Sequence, residues 1–239
     1  MSKGRTRRVG PPAEVQSGNR AARKARARQE REAARRRMAK RRTYRRVAII
    51  VAVLVVVGGI TAGLVISSSR QKTLPGTQTG AAPWPPELDH LRARLTALGL
   101  PAAPSMAETL HIHVHLDVFV DGRRVEVPMN IGINEAQGFL TSLHTHDATG
   151  IVHIESPIVR TFTLGQVFDV WGVRFTSDCV GGYCSGGDKL VRVYVDGKPV
   201  SGDPRLLRLA AHQEIVVAYG TSDQLPRPIP STYSFPQGL

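Results

Sequence analysis

Apolar and polar residues alternate without a break from Leu110 to Val118, and Phe119 and Val120 continue the run. Ile112, Val114, Leu116, Val118 and Val120 form one set, and His111, His113, His115, Asp117 and Phe119 the other. Side chains of a strand alternate between its two faces, so this period predicts a β-strand with one aliphatic face and one imidazole-rich face. Similar runs follow in "RRVEVPMNIGI", "GIVHIESP", "KLVRVYVDGKPV" and "EIVVAYG". Asp121-Gly122 and Asp196-Gly197 predict tight hairpin turns, because both residue types tolerate positive φ. Within "RTFTLGQVFDVWGVRF" the stretch Thr163–Gly172 is ambiguous: period and propensity disagree, leaving strand and short helix both open. Ahead of the strands, Leu88, Leu91, Leu95 and Leu98 make a stripe with helical spacing. Pro86 suits the start of that helix, and Gly99 with Pro101 its end.

A different pattern occupies the first third of the chain. Val47–Ser67 is 21 residues without a charge. As a helix it spans about 30 Å, the hydrocarbon thickness of a bilayer. In lipid the backbone must bond to itself, so helix is expected despite the many Val and Ile residues. The chain's net charge of +13 lies entirely before this segment: residues 1–46 carry +15, and the rest is slightly acidic. Basic flanks stay in the cytoplasm, so the amino terminus is expected inside and the remainder outside the plasma membrane. A cleaved signal peptide fits less well, because its charged region would be 46 residues long. The arm is expected to be largely disordered and to touch anionic lipid. No reader motif or aromatic interleaving accompanies its charge, so nucleic acid is not the expected partner. Gly59 and Gly63 form a G-x-x-x-G pair that suits a homodimer face, a weak signal in such helices. The expected organisation is a basic arm at 1–46, a transmembrane helix at 47–67, and a polar Pro/Gly/Ser/Thr linker at 68–83. An extracytoplasmic domain follows at 84–239: compact, mainly β and antiparallel, with a short N-terminal helix.

Histidine is where the chemistry concentrates. Six of the eight histidines fall between positions 111 and 153. They are spaced as H-x-H-x-H (His111, His113, His115), H-x-H-D (His144, His146, Asp147) and H-x-E (His153, Glu155). Same-face neighbours on a strand are about 6.5–7 Å apart, close enough for two imidazoles to lean onto one metal at about 2.0–2.1 Å from each nitrogen. Brought together without a metal, the rings would repel one another once protonated. These eight residues are therefore the candidate ligands, with Gly150 allowing the second and third groups to approach. Asp117 suits hydrogen bonding behind the ligands better than ligation. His90 reads as a surface residue and His212 as structural. Imidazole with carboxylate accepts several transition metals, and outside the cytoplasm copper or zinc is expected.

Cys179 and Cys184 lie in "CVGGYCSGGD". An oxidising compartment and glycines between them suit a local disulfide, whereas a redox pair would want C-x-x-C at a helix start. No G-x-S-x-G elbow, P-loop or G-x-G-x-x-G occurs, so nucleophilic catalysis has little support.

Taken together, "HIHVHLDVFVDG", "VPMNIGI", "LHTHDATGIVHIESP" and "FTLGQVFDVWG" resemble an uncharacterised family of membrane-anchored or secreted bacterial and archaeal proteins. The resemblance covers roughly residues 85–239 and implies one grouped histidine site. It brings no substrate or reaction with it. The H-x-H clip is also similar to that of cupins, but Asp117 falls too soon and Glu126 too late for their pattern. Three functions stay open. The leading one is metal sensing, buffering or delivery. The others are a metal-dependent enzyme with unassigned catalytic residues and a non-catalytic scaffold with a pH-responsive histidine surface.

Overall fold

The computed structural model describes residues 73–106 and 109–239. The basic arm, the span expected at 47–67, and Gly59 and Gly63 lie outside these residues. Among the described residues no helix is long and apolar enough to cross a membrane.

The run Leu110–Val120 forms the central strand, β1. Along its second half it is flanked on one side by β11 (Glu214–Gly220). On the other it pairs first with β6 (Ile151–Ser156) and then with β2 (Arg123–Val125). The full order is β10 (Lys198–Pro199), β9 (Leu190–Val195), β11, β1, β6 and β5 (Leu143–His144), with β2 off this path. Two small ribbons stand apart: β3 (Ile133–Asn134) with β4 (Phe139–Leu140), and β7 (Cys179–Val180) with β8 (Tyr183–Cys184). Both Asp-Gly turns close hairpins, with Asp121 and Asp196 at positive φ as the turn requires.

One expectation is corrected. The sheet is mixed and not antiparallel throughout, because β1 and β11 run parallel. A parallel pair needs a long crossover, and here residues 121–213 supply it. Nothing local in either strand announces such a partner. The run read as a strand from Arg123 to Ile133 is also shorter: β2 stops at Val125. Pro128 has no N–H to donate to a ladder, and Asn130 takes a left-handed φ of 63°.

The mainly β domain carries two short α-helices, α1 (Leu91–Leu98) and α2 (Leu164–Trp171). In α2 the Thr163 N–H donates to Gln166 Oε1 at 3.0 Å, and Gly172 ends the helix in a left-handed conformation. Leu164, Val167, Phe168, Val170 and Trp171 are all buried. The polar side of α2 is only Gln166 and Asp169, three residues apart, and two turns with so short a stripe do not separate helix from strand, which is why the sequence left this stretch undecided.

Both helices belong to one core with the aliphatic face of the sheet: Val114, Leu116 and Val118 of β1, Val152 and Ile154 of β6, Ile215 and Val217 of β11. Each such side chain contributes about 1.5–3 kcal/mol on burial. Trp84 joins the core edge-on to Trp171, whose Nε1–H donates to the Trp84 carbonyl at 3.0 Å. Gln78, in the stretch read as linker, exchanges backbone bonds with Gly172 and Arg174, so ordered structure begins ahead of Trp84. With one face of the sheet so covered, the imidazole face of β1 is left to form the site.

Candidate metal centre

Register assembles the centre. The antiparallel pairing of β1 with β6 sets His113 opposite His153 and His111 opposite Glu155. The pairing of β5 with β6 sets His144 opposite His153. His113, His153 and His144 therefore form a row across three strands, at the sheet's strand spacing of about 4.8 Å. His146 joins from two residues beyond His144. The local H-x-H spacing thus supplies one dimension of the cluster and strand register the other.

The polar atoms converge closely. His113 Nε2 lies 3.1 Å from His153 Nδ1. His144 Nε2 lies 3.2 Å from His146 Nε2. Glu155 Oε1 is 3.4 Å from His111 Nε2, 3.6 Å from His144 Nε2 and 3.8 Å from His153 Nδ1. Two ligands on a tetrahedral ion with bonds of 2.0–2.1 Å stand about 3.3 Å apart, so these separations are compatible with a shared metal ion. His144, His146, His153 and Glu155 can bring their ligand atoms within 4.8 Å of one another, as can His111, His113 and His153.

Hydrogen bonding orients the most buried histidine of the cluster. His144 Nδ1 lies 2.9 Å from the Thr141 carbonyl oxygen, an acceptor, so this nitrogen carries the proton. Nε2 is then the lone-pair nitrogen and faces the cluster. Such a bond behind the ring is the usual way a metal-binding imidazole is held in one tautomer. The charged forms are disfavoured. Burial, aided by the neighbouring imidazoles, lowers His144 to about 4 and His153 to about 3, and also lowers His113. All three are neutral at neutral pH, as metal ligation requires.

Not every candidate joins. His115 shares the face of His113 but turns toward β11. Its Nδ1 lies 2.7 Å from Glu214 Oε2, its Nε2 lies 2.9 Å from the Thr149 carbonyl, and its ring stacks on Tyr233 at 3.7 Å. His115, Asp117 and Glu214 form a third, wholly buried group of potential ligands. In it, however, both imidazole nitrogens of His115 are already engaged, and Asp117 holds Arg124. Gly150 permits this packing: it has φ +96°, and a Cβ there would sit 2.7 Å from the Leu116 carbonyl oxygen. Asp147 stands outside the ligand groups and accepts from the Thr149 N–H at 2.9 Å and from the Thr149 hydroxyl. His90 is exposed and pairs with Glu87. His212 is exposed, with Nε2 3.1 Å from the Leu239 carbonyl.

Glu214 is the residue that sequence reasoning missed. It shares a strand phase with Val216 and Ala218, an acid leading an apolar alternation, and that was the only signal. Its meaning depends on the parallel register that pairs it with His115. Cys179 and Cys184 are joined in a disulfide that closes the β7–β8 ribbon.

No family model, curated protein or solved structure matches this chain. What is known of the site therefore comes from its own geometry: a histidine and glutamate cluster able to hold a metal ion.

Proposed function

We propose that this chain is a single-pass membrane protein whose extracytoplasmic domain holds a transition metal, copper or zinc, for sensing, buffering or delivery. The observation that carries the metal reading is the convergence of His144, His146, His153 and Glu155, with His144 held in the metal-competent tautomer by the Thr141 carbonyl. The charge-free run Val47–Ser67 and its basic amino-side flank support the anchored topology. Imidazole with one carboxylate suits zinc or Cu(II), and no cysteine or methionine belongs to the cluster to favour Cu(I).

The test is metal content. The full chain is purified in detergent without a histidine tag, and bound elements are measured by mass spectrometry beside His144→Ala. Copper or zinc near one equivalent or above, reduced in the variant, is the expected result. Metal no higher than background in the wild type, even after reloading, overturns the reading.

A further inference from the structure

The cluster offers more donors than one ion can use. Five imidazoles and one carboxylate converge, and a tetrahedral ion takes four ligands. The donors divide into two sets, His144/His146/His153/Glu155 and His111/His113/His153, which overlap only in His153. Glu155 lies at the seam. Its Oε1 is 3.4 Å from His111 Nε2 in one set and 3.6 Å from His144 Nε2 in the other.

Resting on the metal-binding reading above, we infer that the centre holds two transition-metal ions side by side, bridged by the Glu155 carboxylate. His144 and His146 bind one ion, and His111 and His113 bind the other. His153, reached from both sets, completes one of the two. Carboxylate-bridged pairs of this kind place their metals about 3.5–4 Å apart. The strand pattern explains the duplication. H-x-H on β1 supplies one pair of ligands, H-x-H at the end of β5 supplies the other, and β6 lies between them carrying His153 and Glu155.

The experiment uses the detergent-solubilised full chain, stripped with chelator and titrated first with zinc alone. After gel filtration, elemental mass spectrometry gives the ratio of zinc to protein. Two equivalents are expected. One equivalent overturns the paired centre while leaving the metal-binding function intact, and none overturns both. The stripped chain is then titrated with Cu(II) and followed by electron paramagnetic resonance. The expected signal grows to the first equivalent and then falls as the second ion couples to the first. Two additive, uncoupled signals mean separated sites, for instance one at His115/Asp117/Glu214, and overturn the inference. A His111→Ala/His113→Ala variant is expected to keep one equivalent with an uncoupled signal. The wild-type ratio and coupling decide the matter even if that variant fails to fold.

Discussion

His115 Nδ1 and Glu214 Oε2 lie 2.7 Å apart, and their side chains are 3% and 1% exposed. The pair ties the parallel strands β1 and β11 together on the imidazole face. It also withdraws one histidine of the H-x-H-x-H row from the cluster its neighbours form. Removing one partner of a buried hydrogen bond leaves the other unsatisfied and costs about 1–3 kcal/mol. Glu214→Ala is therefore expected to lower the thermal midpoint of the full chain clearly, with Glu214→Gln milder and metal content unchanged in both. A midpoint equal to the wild type would show that the pair does not hold the strands together.

Acid is expected to weaken the metal-free domain. The ordinary imidazole value is 6.5, against about 4 for His144 and about 3 for His153 in the fold. Between these values the unfolded chain binds more protons than the folded one, so stability falls as pH drops from about 6.5 toward 3. Above about pH 7 these groups add no slope. At about 1.4 kcal/mol per pKa unit, His144 alone accounts for roughly 3 kcal/mol over its span. Thermal melts of the chelator-treated chain at pH 7.5, 6 and 5 check the direction, and His153→Gln should flatten the trend. A midpoint that rises on acidification is the contrary outcome.

Asp147 and His146 are adjacent in sequence but differ in what they face. The Asp147 carboxyl is held below its usual range chiefly by its hydrogen bond from the Thr149 hydroxyl, and it closes the turn that leads to Gly150. Asp147→Ala is expected to keep the bound metal and to cost no more than about 1 kcal/mol of stability. His146→Ala, which removes one of the proposed ligands, should weaken metal affinity by at least about tenfold. Competition against a chelator of known affinity measures both, and equal losses would contradict this division of roles.

Removing the disulfide tests local stability apart from the site. The bridged cysteines are five residues apart, and closing so short a loop stabilises the fold by about 2 kcal/mol in the chain-entropy view. Cys179→Ser/Cys184→Ser should lower the thermal midpoint by that order and leave metal content intact, because none of the proposed ligands lies in the β7–β8 ribbon.

What the sequence determined by itself is local. The alternation in Leu110–Val120 predicts the strand and sorts its histidines onto one face, since side-chain direction depends only on the period of the backbone. Asp121-Gly122 and Asp196-Gly197 name their turns, because positive φ is a property of the residues in them. The Cys179–Cys184 bridge and the grouping of imidazoles are legible for the same reason. Tertiary structure decided what depends on partners distant in the chain. The ambiguous stretch at α2 becomes a helix where its apolar side packs into the core. The β1–β11 pairing is parallel, which a crossover of more than ninety residues, 121–213, permits and no local pattern in either strand specifies. Register then chose among the candidates. It set His113, His153 and His144 in one row, placed Glu155 between two groups of ligands, and gave His115 to Glu214. A spacing of two residues specifies a face; which side chains meet across strands about 4.8 Å apart is settled only when the strands pair.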